Sequence, residues 1–120
     1  MPKKILVIED NEQNRILMRQ ILKYQGYEVL EAPDGKAGLK MAAEHMPDLI
    51  LLDLQMPVMG GFAVVAELRK TPELSKLKVM AVTSFAMKGD REKALEAGFD
   101  EYVTKPIDTR NFIELVKNII

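Results

Sequence analysis

Asp48-Leu49-Ile50-Leu51-Leu52-Asp53-Leu54-Gln55-Met56-Pro57-Val58-Met59-Gly60-Gly61 is the stretch that decides the fold. Four consecutive large apolar residues, Leu49 to Leu52, end in an aspartate. A run without polar alternation suits a strand covered on both faces, as strands of parallel sheets are. The Met-Pro-Val-Met-Gly-Gly segment cannot continue that strand and reads as a loop, with Gly60-Gly61 supplying backbone freedom at a turn. Asp53 is therefore expected where a buried strand stops. In open α/β sheets that edge is where ligands and chemistry gather.

Working outward, Ile5-Leu6-Val7-Ile8 is a second buried strand by the same argument, closed by Glu9-Asp10-Asn11. Asn11 can cap a helix running to Tyr24, with Leu17, Met18, Ile21 and Leu22 at helical spacing and Gly26 as the stop. Tyr27 to Ala32 reads as a strand. Asp34 can cap the next helix, which carries Leu39, Ala42, Ala43 and Met46 on one face and is ended by Pro47. Beyond Gly61, Phe62, Val65 and Leu68 mark a third helix that ends near Lys70. Thr71 to Leu77 is a polar connection, and Val79 to Val82 is a strand with Thr83-Ser84 at its end. Asp90 reads as the cap of a fourth helix, whose Ala94, Leu95 and Ala97 precede the stop Gly98. Phe99 to Val103 is short and less apolar, an edge strand. Asp108 can cap a fifth helix striped by Phe112, Leu115, Val116 and Ile119. Strand and helix alternate five times, which predicts an α/β fold with a parallel sheet, helices on both faces and right-handed crossovers.

Composition narrows the function. The chain has 120 residues, enough for one domain and too few for two. Hydrophobic residues make up 48%, enough to form a packed core. The formal net charge is -1 and no basic block stands out, which argues against nucleic acid as the main partner. Without cysteine there is no disulfide, thiolate zinc site or cysteine nucleophile. The N-terminal apolar run is too short for a signal-peptide core, and no stretch is long enough to span a bilayer. The expectation is a cytoplasmic protein. There is no Gly-rich nucleotide-binding loop. His45 reads as a solvated residue and the eight methionines as core and loop packing.

The strand ends carry the chemistry. The first strand delivers Glu9 and Asp10, the third Asp53, the fourth Thr83 and the fifth Lys105. In a parallel sheet these ends share one edge. Three clustered carboxylates repel and call for a cation. Oxygen-only ligands suit Mg²⁺, which takes one or two carboxylates and keeps several waters. A divalent cation, an ammonium and a hydroxyl around one carboxylate form a clamp for a transferring phosphoryl group, with Asp53 as the nucleophile.

Glu9-Asp10-Asn11, Leu52 to Gly61, Val82-Thr83-Ser84 and Val103-Thr104-Lys105-Pro106 together resemble the receiver domain of two-component response regulators, over essentially the whole chain. Phe85 to Asp90 looks most like stand-alone receivers of the DivK type and receivers attached to hybrid histidine kinases. The resemblance implies a flavodoxin-like, doubly wound five-stranded parallel sheet of order 2-1-3-4-5 with five helices, in one receiver domain over residues 1–120 with no output domain. It implies that Asp53 accepts a phosphoryl group from the phosphohistidine of a histidine kinase or phosphotransfer protein. It implies Mg²⁺ on Asp10, Asp53 and the backbone carbonyl of Gln55, with Glu9 acting through water. Thr83 and Lys105 would bind the phosphoryl group, and Tyr102 would be the aromatic switch. Gln55 and Phe85, each two residues past a site residue, would tune phosphoryl lifetime, with Phe85 screening the group from water. The Lys105-Pro106 peptide would be cis. Glu9 stands where aspartate is also common, and Ser84 replaces a usual alanine.

The implied function is a single-domain regulator that catalyses only its own phosphorylation and dephosphorylation. It would act as a monomer or weak dimer and signal by protein–protein binding through its fourth helix, fifth strand and fifth helix. Three rivals are weighed. An aspartyl-phosphate phosphatase would carry a second aspartate two residues after the nucleophile, where Gln55 stands and cannot act as acid or base. A pseudo-receiver would lack one of Asp10, Asp53 or Lys105. An excised receiver of a hybrid histidine kinase would share all these residues.

Overall fold

The computed structural model describes residues 2–84 and 89–120. Five strands, β1 (Lys4–Ile8), β2 (Glu28–Ala32), β3 (Leu49–Asp53), β4 (Lys78–Thr83) and β5 (Glu101–Thr104), form one parallel sheet in the order β2-β1-β3-β4-β5. Between and after them run α1 (Glu12–Tyr24), α2 (Gly35–His45), α3 (Gly61–Lys70), α4 (Asp90–Ala97) and α5 (Thr109–Ile119).

Strand alternation sorts the core into two layers. Ile5, Val7, Leu49, Leu51, Met80 and Val82 face α1 and α5, packing with Met18, Leu22, Phe112 and Val116. Leu6, Ile8, Ile50, Leu52, Val79 and Ala81 face the other way, against Ala42, Val64, Val65, Leu68 and Ala94 of α2, α3 and α4. Every residue of β3 is buried, which is what its unbroken apolar run requires at the centre of a sheet covered twice.

Three helix starts follow their side-chain caps. Asn11, Asp34 and Asp108 each accept a hydrogen bond from the backbone N–H three residues on. Asp90 does not cap α4. Gly89 fills the cap position at φ 88, and Asp90 is the first helical residue, where its charge still favours the helix dipole.

The inner face of α2 differs from the expected Leu39, Ala42, Ala43 and Met46 stripe. Ala42 is buried and Leu39 packs partly buried against the core, but Ala43 and Met46 are exposed, and Gly35 and Gly38 complete the buried face. A Cβ on Gly38 would lie 2.4 Å from Ile8 Cδ1, so α2 rests on β1 closer than a side chain allows. Phe62 of α3 is likewise turned outward, edge-on to Phe99 at 5.8 Å between ring centroids. Phe99 itself lies before β5, in the core beneath α4.

The Gly60-Gly61 pair serves a different purpose from turn freedom, since neither has positive φ. A Cβ on Gly61 would meet Asp53 O and Leu54 Cδ2 at 2.8 Å, so α3 starts against the backbone that leaves β3. The left-handed conformation of this loop falls on Val58, at φ 68. A β-branched residue there is a strained exception.

Candidate metal and phosphoryl centre

The sheet register builds the site. Ile8 pairs with Leu52 and Asp53 with Val82, so the residues that follow β1 come level with the end of β3. Past those pairs, Glu9 N donates to Ala32 O at 3.1 Å, Leu54 N to Val82 O at 2.9 Å and Lys105 N to Thr83 O at 2.7 Å. Each strand end is thereby tied to its neighbour beyond the last ladder pair.

Glu9, Asp10 and Asp53 come together there, each offering a carboxylate oxygen, all within 4.8 Å of one another. Glu9 is fully buried and Asp53 is 3% exposed, whereas Asp10 opens to solvent. Lys105 Nζ sits 2.7 Å from Glu9 Oε1 and 3.6 Å from Asp53 Oδ2, so the ammonium is closer to Glu9 than to Asp53. Asp53 Oδ1 accepts the backbone N–H of Gln55 at 3.0 Å, which fixes the carboxylate against its own loop.

Burial, and then the hydrogen bond and charge of Asp53, push the Glu9 carboxyl above its ordinary value, with Lys105 pulling the other way. The excess of negative charge is what a hard cation would relieve. An all-oxygen donor set with one solvent-facing carboxylate fits Mg²⁺.

Thr83 is fully buried at the end of β4. Its Oγ1 accepts from Gln55 Nε2, and Gln55 Oε1 accepts from Ser84 N at 3.0 Å. Tyr102 is half-buried on β5, opposite Ala81, and packs against the layer that α2, α3 and α4 cover. Burial and the charge of Asp90 raise its phenol above the ordinary value. The Lys105-Pro106 peptide is cis. Phe85 lies outside the described residues.

Two features were not anticipated. The Gln55 side chain bridges to β4, in addition to the backbone carbonyl that was considered. Arg15 of α1 donates from Nη1 to Glu9 O at 2.9 Å while its Nε meets Glu31 Oε1 at 3.3 Å, and Arg19 meets Glu31 Oε2 at 2.7 Å. Arg15 and Arg19, one helical turn apart, were a readable signal for a shared acidic partner.

The response regulator receiver domain family matches residues 5–117. The polar-differentiation response regulator DivK of Brucella anthropi is 42% identical over 120 residues, spanning 100% of this chain and 98% of its own. That of Brucella ovis is also 42% identical over the same spans. A CheY-like receiver domain protein of Methanospirillum hungatei superposes with a TM-score of 0.87 at 30% identity, covering 98% of this chain and 93% of its own. Chemotaxis protein CheY4 of Vibrio cholerae reaches 0.93 at 24% identity over both full chains, a likeness of fold. The chain belongs to the response regulator receiver domain family. It has the CheY-like flavodoxin fold, and the two Brucella relatives, matched over 98% of their own length, are response regulators named DivK.

Proposed function

We infer that Asp53 is a phosphoacceptor and that the chain signals through the phosphorylated form. The carrying observation is one buried carboxylate with Glu9, Asp10 and the Lys105 ammonium gathered around it. A phosphohistidine on a histidine kinase or phosphotransfer protein is the donor. An Asp53 carboxylate oxygen forms a bond to phosphorus as the phosphorus–nitrogen bond breaks, and the imidazole leaves with its electron pair.

Asp10, Asp53 and the Gln55 carbonyl would hold Mg²⁺, which would supply neutralisation of the phosphoryl oxygens. Glu9 has one oxygen already on Lys105, which supports a water-mediated part for it. Lys105 is placed to pair with the new negative charge, and Thr83 to donate its hydroxyl to a phosphoryl oxygen. Tyr102, packed beside α4, is the element whose position the change at Thr83 would bias, and the α4–β5–α5 face is the surface a protein effector would read. Gln55 and Phe85 set the lifetime of the mark.

In this reading residues 1–120 form one receiver domain, cytoplasmic, monomeric or weakly dimeric, and not an enzyme beyond its own phosphorylation and dephosphorylation. Among the described residues no helix is long and apolar enough to cross a membrane.

Incubation with acetyl phosphate and Mg²⁺, followed by a phosphate-affinity gel, tests it. A retarded band that vanishes in Asp53→Asn is the expected result. No band would point to a pseudo-receiver, and steady turnover of many equivalents to a phosphatase.

A further inference from the structure

Gln55 is exposed as a residue, yet its amide crosses from the β3–α3 loop to the end of β4. The orientation of that amide is settled by its partners. The Ser84 backbone N–H can only donate, so it faces Gln55 Oε1. Gln55 Nε2 is then left to donate to Thr83 Oγ1. One side chain thus engages two consecutive polar groups where β4 ends, the hydroxyl oxygen of Thr83 and the N–H of Ser84.

These two groups end the strand next to Asp53, which pairs with Val82, the residue just before them. A tetrahedral anion on Asp53 presents oxygens that need donors, and Thr83 O–H and Ser84 N–H are the donors at that strand end. Ser84 N–H cannot serve Gln55 and an anion fully at once. Thr83 held as an acceptor of Gln55 Nε2 is also fixed in a position set by the loop, whatever else it contacts.

We propose that Gln55 is a positioning residue that latches the end of β4 in the unphosphorylated chain and competes with the phosphoryl group for Thr83 and Ser84. The proposal rests on the reading of Asp53 as phosphoacceptor. Phosphorylation then takes the Ser84 N–H from Gln55 Oε1 and draws the Thr83 hydroxyl toward the new anion, which loosens Thr83 and Ser84 from Gln55 while Leu54 N still donates to Val82 O. Gln55 therefore sets how readily the modified state is reached, which is separate from how long it lasts.

Gln55→Met keeps length and removes both hydrogen-bonding ends. With beryllofluoride and Mg²⁺ as the non-covalent phosphoryl mimic, the full chain is titrated by amide NMR. The mimic should bind Gln55→Met about fivefold more tightly than the wild type, the effect of one part-buried and one exposed hydrogen bond no longer standing in its way. In the free variant the Ser84 amide proton should move upfield and exchange faster. In the wild type the Gln55 side-chain amide signals should shift when the mimic binds. Equal or weaker binding by Gln55→Met, or Gln55 side-chain signals that stay put, would overturn the latch alone. A wild type that takes no mimic, or an Asp53→Asn variant that binds it equally, would overturn the phosphoacceptor reading and the latch with it.

Discussion

The Lys105 ammonium lies 2.7 Å from Glu9 Oε1, joining residues 96 positions apart in the chain. Glu9 is fully buried and the Lys105 side chain is 14% exposed, so the pair is shielded from water and hard to dispense with. Removing one member of such a pair strands the other. Lys105→Met should destabilise the protein by about 2–3 kcal/mol at neutral pH without divalent ions, below the full figure for a buried pair because Asp10 opens the cluster to solvent. Urea unfolding measures this. The double variant Glu9→Gln/Lys105→Met should recover much of the loss, and failure to recover would mean that Lys105 acts elsewhere.

Glu9 also makes stability depend on pH. Its folded-state value is raised above the ordinary 4.5, so the folded protein holds the Glu9 proton more tightly than the unfolded chain does. That contribution is fully present below pH 4.5 and is lost as pH rises through the raised value. Glu9→Gln stays neutral throughout. Its stability relative to the wild type should therefore be flat at low pH and grow as pH rises through that window, read as melting temperature in the presence of a chelator. A difference that shrinks with rising pH would contradict the electrostatics described for the site.

Mg²⁺ should relieve the same repulsion. An ion that binds only the folded state at a hundred times its dissociation constant stabilises by about 2.7 kcal/mol. The melting temperature should climb with added Mg²⁺, and Asp10→Asn should remove most of the response. An unchanged response in that variant would take Asp10 out of the ligand set.

The α2–β1 contact gives a prediction away from the site. Gly38→Ala gains helix propensity of about 1 kcal/mol, but its methyl would be 2.4 Å from Ile8 Cδ1. Overpacking of this kind costs about 1–3 kcal/mol, so net destabilisation is expected. Ile8→Val deletes Cδ1, and the double variant should be more stable than the sum of the two single changes. Simple additivity in denaturant midpoints would show that the helix shifts instead.

The β1, β3 and β4 runs were legible because central parallel strands need unbroken apolar residues. Asn11, Asp34 and Asp108 were legible because a side-chain cap is a local device. Asp90 was misread because Gly89, one residue earlier, reaches the cap conformation with no side-chain signal at all. The inner face of α2 was legible at Leu39 and Ala42 but not at Gly35 and Gly38, since glycines make its closest contacts and carry no hydrophobic mark. The carboxylate cluster followed from strand ends sharing one edge. The preference of Lys105 for Glu9 did not follow from it, since relative distances among three acids depend on packing that no spacing rule encodes. The Gln55 bridge was hidden for the same reason: residues 55, 83 and 84 become neighbours only through the β3–β4 register.

That register has a wider consequence. Glu9, Asp53, Thr83 and Lys105 come from four adjacent strands, and none carries the chemistry by itself. A one-residue slip in any strand would leave the apolar runs intact yet turn its contribution to the opposite face. Competence to be modified is thus a checksum on the entire sheet. A misassembled copy would be silent in the circuit and could not transmit a false message.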